Sequence, residues 1–327
     1  MKHGSVIFAV ARTLFVSDEM QIRPRPSILG MIDMSTADDK DRSSDVRART
    51  HLWSLIAVKQ GSGCSCSTTD NVSKEIGYSK EELEAVPKGA NMGLGCGNPI
   101  ALASLKEGET VIDLGSGGGF DCFLAAKRVG KKGKIIGVDM TPEMVDKARQ
   151  NARRGRYENV EFRLGEIENL PIADNTADVV ISNCVINLAP NKIKVFEEAF
   201  RVLKPGGRLT ISDLLLLKKF PKEMKKGIDS ESCVASVMKD KYLEIIEAVG
   251  FENARIIQEK PYRSEDLASD PDKEILVFNS KTNAIETRKV SELDKKSKQI
   301  MREYLEATLS INVSATKPCV RKTTRAR

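Results

Sequence analysis

The feature that most constrains this chain is a rhythm. From residue 110 onward short apolar runs alternate with amphipathic stretches, and the first run leads into a glycine-rich turn, "DLGSGGGFD" (residues 113–121). "TVIDLG" (110–115), "KIIGVD" (134–139), "VEFRLG" (160–165), "ADVVISN" (177–183), "RLTISDLLL" (208–216) and "ARIIQE" (254–259) read as strands. Short apolar runs of this kind suit strands buried on both faces of a parallel sheet. Between them, "FDCFLAAKRVG" reads as a helix stopped by Gly130. "TPEMVDKARQNARR" reads as a helix with Thr141 at its N-cap and Pro142 at its first position. "NKIKVFEEAFRVLKPGG" is amphipathic and ends at Pro205-Gly206-Gly207, and "KYLEIIEAVGF" is a further helix. "SELDKKSKQIMREYLEATL" (291–309) reads as a last helix and "SINVSAT" (310–316) as a last strand, with the stretch from 260 to 290 unassigned. The pattern predicts an α/β fold, a mostly parallel sheet with helices on both faces.

Upstream, "YSKEELEAV" carries a capping box, Ser79 with Glu82 three residues on, that opens a short helix. Residues 1–75 form an N-terminal extension with a flexible polar stretch and a Gly/Ser loop bearing Cys64 and Cys66; residues 319–327 form a basic tail. The N-terminus faintly resembles a signal peptide, but Arg12 interrupts its apolar run and no clean cleavage site follows, so export is not expected. Met34 is an alternative start.

Fifty-two basic residues are balanced by 46 acidic ones, a net +6 in 327 residues, which argues against a nucleic-acid binder. No run approaches the ~18 apolar residues that span a bilayer. Seven cysteines at irregular spacing do not make a secreted disulfide framework, and a reducing cytoplasm with free thiols fits them better. The only histidines are His3 and His51, which argues against a histidine triad or a histidine-rich metal site.

Gly115, Gly117 and Gly119 sit where a strand turns into a helix and a ligand must approach the backbone. Asp139 ends the next strand, where a carboxylate accepts hydrogen bonds from ribose hydroxyls. No Gly-Lys-Ser/Thr closes the loop, and G-x-G-x-x-G is not cleanly met. Asp113, before the first glycine, suits a cationic ligand. S-adenosylmethionine carries an ammonium and a sulfonium and no phosphate. The arrangement closely resembles the class I methyltransferase motif, as do "LGEIENLP" and "RVLKPGGRL". The resemblance implies a Rossmann-like, seven-stranded sheet in order 3-2-1-4-5-7-6 with the last strand antiparallel. It also implies cofactor contacts at Asp113, Gly115, Gly117, Gly119, Asp139, Met140, Glu166, Ile167 and Asn183, with Glu166 and Ile167 flanking the adenine.

Three isolated thiols remain to be explained. Cys96 stands among glycines in "GLGCGNP", Cys184 directly follows the fourth strand, and Cys233 follows the fifth. All three segments are able to reach the carboxyl edge of the sheet, where the methyl acceptor belongs. Zinc is one candidate, although structural zinc favours four ligands with close pairs. Trivalent arsenic binds three thiolates and keeps a lone pair that attacks a methyl group without a general base. Cys122, on the first helix, reads as core packing and Cys319, in the basic tail, as incidental.

"GLGCGNP" and "SNCVINL", together with the segments around them from about Tyr78 to Phe251, resemble arsenite S-adenosylmethionine methyltransferases. The resemblance implies a methyltransferase domain over 76–260, a C-terminal part over 261–318 that completes the sheet, and arsenite or its thiol conjugates as substrate. It implies Cys96, Cys184 and Cys233 as As(III) ligands and a thiol reductant, thioredoxin or glutathione, as co-substrate. Cys64 and Cys66 are then placed to relay arsenic or to form a redox disulfide with Cys96. A cytoplasmic monomer without a membrane or nucleic-acid partner is expected. The alternative is methylation of a small organic acceptor, such as a quinone or sterol precursor.

Overall fold

The computed structural model describes residues 70, 73–218, 238–261, 274–279, 284–293 and 295–319. Cys64, Cys66, Cys233, the extension up to residue 69 and the tail from 320 lie outside the described residues.

The first five strands are β1 (Thr110–Leu114), β2 (Lys134–Asp139), β3 (Val160–Leu164), β4 (Ala177–Asn183) and β5 (Leu203–Leu216). They pair in parallel, and β6 (Glu252–Pro261) joins them through the antiparallel β9 (Thr308–Thr316). The sheet order is β3-β2-β1-β4-β5-β9-β6, so the expected order with one late antiparallel strand is present. A separate antiparallel pair, β7 (Glu274–Asn279) with β8 (Ala284–Lys289), fills part of the stretch left unassigned above.

The helices are α1 (Lys80–Glu84), α2 (Pro99–Leu102), α3 (Phe120–Val129), α4 (Pro142–Gly155), α5 (Lys192–Val202), α6 (Lys239–Val249) and α7 (Lys295–Glu306). The Ser79–Glu82 capping box forms as expected. Thr141 occupies the N-cap of α4 without a side-chain cap bond, and its hydroxyl serves the Asp139 carboxylate instead. α5 ends at Val202 rather than at the Pro-Gly-Gly, because residues 203–207 already run as the start of β5, with Leu203 paired to Ala177 across a register shift.

Each face of the sheet buries its own core. Ile112, Val138, Val180 and Ile211 point one way, onto Phe196 of α5 and Tyr242 of α6. Val111, Ile135, Val179 and Ile181 point the other way, onto Phe123 of α3 and Val145 of α4. Every one of these side chains is at most 2% exposed, which answers the apolar strand runs in physical terms. Helices from both faces therefore press on the sheet, and the strand order reverses between β1 and β4. In such sheets ligands bind at that reversal, beyond the carboxyl ends of the strands. Among the described residues no helix is long and apolar enough to cross a membrane.

Candidate functional site

A cavity opens at that reversal, walled by the glycine turn after β1, the ends of β2 and β4, and the segment before α2. Three glycines shape the turn in different ways. Gly115 (φ +69°) allows Val185 to approach so closely that an added Cβ would lie 2.4 Å from its methyl group. Gly117 (φ +50°) faces open space, and its N–H donates to Asp139 Oδ2 at 2.9 Å, tying the turn to β2. Gly119 (φ +91°) caps α3 and lies against Phe123 and Phe162, so its freedom serves helix–strand packing. Gly115 and Gly117 line the cavity and Gly119 does not.

Four carboxylates stand in the wall, Asp113, Asp121, Asp139 and Glu168, and no lysine, arginine or histidine stands there among the described residues. This charge pattern suits a cationic ligand and opposes a phosphate. Asp139 has each oxygen engaged once by a backbone N–H, from Gly117 and from Thr141. With the Thr141 hydroxyl added, three of the carboxylate's roughly four lone-pair sites are taken, which leaves one for a ligand hydroxyl. Burial pushes Asp139 above the usual carboxylate range, against those two backbone donors and the Thr141 hydroxyl. Burial also raises Asp113 well above that range, helped by the nearby Asp121 charge, and the Cys122 thiol opposes the rise by donating to Asp113 Oδ2 at 3.2 Å. A bound cation would favour the ionised form. The open glycine turn, the acid lining and the remaining acceptor site on Asp139 fit S-adenosylmethionine.

Of the other expected cofactor residues, Met140, Ile167 and Asn183 line the cavity. Glu166 is exposed and stands outside the lining, and the buried Glu168 lines the cavity in its place.

Asn183 joins the two halves of the site. Its Nδ2 lies within 3.0 Å of Tyr78 Oη, Gly97 O and Asp121 Oδ2, and its Oδ1 accepts the N–H of Cys96. Tyr78 in turn donates to Asp121 Oδ1 at 2.6 Å. Burial pushes Asp121 up to about 6, against donation from Tyr78 and Asn183.

The glycines around Cys96 now have a cause. A Cβ on Gly95 would lie 2.7 Å from Asn183 Nδ2, and one on Gly97 would lie 2.7 Å from Ser212 Oγ. Only a backbone without side chains runs that close to the sheet edge. Ser310 Oγ of β9 donates to Cys96 O, and Asn98 caps α2 immediately afterwards. Cys184, past the end of β4, has φ +60°, uncommon for a residue with a Cβ, and its N–H donates to Ser212 O at 2.8 Å. The outcome is convergence: Cys96 Sγ, Cys184 Sγ and an Asp213 carboxylate oxygen lie within 4.8 Å of one another, all buried. Cys184 also lines the cavity. Cys122 is fully buried in the core as expected, and Cys319 is exposed.

Asp213 was not among the residues singled out from sequence. It is fully buried on β5 and accepts from Asn187 N and Nδ2, Tyr242 Oη and Leu214 N at 2.8–3.2 Å. Burial pushes it up to about 7, against these donors and Lys192. The available signal was a lone acid inside "RLTISDLLL".

A sequence profile described as a methyltransferase domain matches residues 105–305, more than half of the chain. The chain belongs to the methyltransferase domain family. Among relatives of this methyltransferase domain, the arsenite methyltransferase of Halobacterium salinarum is 52% identical over 198 residues, 60% of this chain and 51% of that protein. The arsenite methyltransferase of Homo sapiens is 35% identical over 240 residues, 68% of this chain and 62% of that protein. The chain thus spans about half the length of the curated relatives it matches, rising to 62% for the human protein. The crystal structure of an arsenic(III) S-adenosylmethionine methyltransferase from Chlamydomonas reinhardtii is similar with a TM-score of 0.52 at 27% identity, over 77% of this chain and 74% of that one. The methyltransferase fold and the sheet order above agree with this membership.

Proposed function

We propose that the protein transfers methyl groups from S-adenosylmethionine to trivalent arsenic held on the thiolates of Cys96 and Cys184, with Cys233 as the third thiol. One observation supports this above others: two cysteines from distant loops meet, and one of them, Cys184, lines an acid-lined cavity. The relatives named as arsenite methyltransferases point the same way.

When bound, S-adenosylmethionine supplies an electrophilic methyl carbon on a cationic sulfur. Asp139 is placed for its ribose hydroxyls, and Asp113 and Asp121 favour its positive charges. Cys96 and Cys184 hold the arsenic and fix its direction, so the enzyme contributes chiefly proximity and orientation. The arsenic lone pair forms the new As–C bond while the C–S bond breaks and its electrons stay on sulfur. No proton leaves the reacting centre, in keeping with a cavity wall without histidine among the described residues. Arsenic is formally oxidised by two electrons, which a thiol reductant, thioredoxin or glutathione, returns before a further methylation. Asn183 holds the Cys96 loop against the donor side, so that the two half-sites keep one register.

The test is incubation of the purified protein with donor, arsenite and glutathione or thioredoxin, followed by chromatographic speciation of arsenic. Mono- and dimethylated arsenicals are expected, with S-adenosylhomocysteine formed in step. Donor turnover on a quinone precursor, with none on arsenite, would instead establish the organic-acceptor alternative.

A further inference from the structure

We propose that the ionised carboxylate of Asp213, at the acceptor end of the site, accelerates methyl transfer by stabilising the positive charge arriving on the acceptor atom. This rests on the reading of the site as one that methylates arsenic held by Cys96 and Cys184.

Position comes first. Asp213 on β5 follows Ser212, whose carbonyl accepts from Cys184 N–H, and a carboxylate oxygen of Asp213 lies within 4.8 Å of both thiol sulfurs. The other acids of the site, Asp113, Asp121, Asp139 and Glu168, line the cavity that holds the glycine turn, at the donor end. Asp213 alone among the site's described carboxylates groups with the thiols.

Its surroundings favour a charge over a ligand. Asn187 N donates to Oδ2 at 3.2 Å and Asn187 Nδ2 to Oδ1 at 2.8 Å. Tyr242 Oη of α6 donates to Oδ2 at 3.0 Å, and Leu214 N to Oδ1 at 3.0 Å. Those four donors occupy the carboxylate's lone-pair sites, oppose the burial that raises its proton affinity and hold it still. The groups facing it are the two thiols, Tyr242 and the ammonium of Lys192, which donates to the carbonyls of Asn187 and Ala189.

The reaction moves one positive charge. As the As–C bond forms and the C–S bond breaks, sulfur becomes neutral and arsenic becomes cationic. A carboxylate nearer the arsenic than the sulfur stabilises the transition state more than the ground state, the condition for raising kcat. Burial strengthens the effect, since the site screens it little.

Asp213→Asn removes the charge and keeps the shape. Assayed at mildly alkaline pH, it is expected to lower kcat on the order of tenfold. Donor KM and arsenite affinity, the latter by calorimetry, should stay within about twofold. If the wild type does not methylate arsenite, the functional reading fails and the inference with it. If the wild type does and Asp213→Asn keeps full kcat, or loses arsenite binding in proportion to rate, the charge has no such role. Should Asp213→Asn not fold, Lys192→Gln decides. It removes the facing cation, which also holds down the proton affinity of Asp213, so the assay is run at alkaline pH where the carboxylate stays ionised, and a kcat rise of about twofold there supports the proposal. An unchanged or lower kcat overturns it.

Discussion

The backbone N–H of Cys96 donates to Oδ1 of Asn183 at 3.0 Å, across 87 residues of chain. The same amide's Nδ2 reaches Asp121, so one side chain spans the distance between the acids of the donor cavity and the loop that carries a thiol.

Asn183→Leu therefore breaks both halves. It leaves Cys96 N–H and Asp121 short of partners, which costs about 1–3 kcal/mol for each buried group left unpaired. Chemical denaturation should show that loss, and calorimetry should show weaker binding of both S-adenosylmethionine and arsenite. Loss of one affinity alone contradicts the coupling.

The glycines flanking Cys96 make a second prediction. Gly95→Ala and Gly97→Ala each place a methyl group 2.7 Å from Asn183 Nδ2 or Ser212 Oγ. Forcing the loop off the sheet should cost ~1–3 kcal/mol and weaken arsenite binding, with the S-adenosylmethionine affinity less affected for Gly97. Gly117→Ala differs in mechanism: its methyl group meets no protein atom, and the cost of about 1–2 kcal/mol comes from φ +50° alone. Thermal melts of the three variants, read beside their arsenite affinities, separate the two causes.

Why these glycines are legible in the sequence, and Asp213 is not, has a physical basis. A cysteine among glycines has no packing explanation, whereas an acid inside an apolar strand reads as a solvent-facing position until a neighbouring helix covers it with Tyr242. The sheet order was legible because burial on both faces makes the strands apolar throughout. The β7–β8 pair was not, because two short strands such as "EILVFN" and "AIETRK" carry a weak pattern. Glu166 and Glu168 are two residues apart in one turn, and nothing in the residue pattern distinguishes the exposed one from the one that lines the cavity. Tyr78 read only as the residue before a helix cap, yet its hydroxyl holds Asp121. Cys64, Cys66 and Cys233 lie outside the described residues, so their part in the site remains a sequence expectation.

Buried acids give the fold a pH dependence. Asp213 is raised to about 7 and Asp121 to about 6, both above their unfolded values near 4. Between the unfolded and folded values the native state holds protons that the unfolded chain has lost, so stability falls as pH rises through this window. The carboxylates paired with arginine or lysine, such as Glu161 at about 2, act below it, where stability falls as pH drops. Denaturant midpoints should therefore decline from pH ~5 to ~8. Asp213→Asn should flatten that decline, and an equal slope in the variant contradicts the assignment.

Cys122 should matter to donor binding through Asp113. Its thiol donates to Asp113 Oδ2 from a fully buried position on α3. Cys122→Ser, which keeps a donor, should hold S-adenosylmethionine affinity within about threefold, and Cys122→Ala should weaken it by about tenfold, the loss of one charge-assisted hydrogen bond. Equal affinities in the two variants would reduce Cys122 to packing.

The most direct measurement of the central claim is X-ray absorption at the arsenic edge of the arsenite-loaded protein, which counts the sulfur and oxygen neighbours of the metalloid. A sulfur shell in the wild type is predicted, with a sulfur lost in Cys96→Ser and again in Cys184→Ser. An oxygen shell in the wild type, or sulfur counts that neither substitution changes, would contradict arsenic binding at these two thiols.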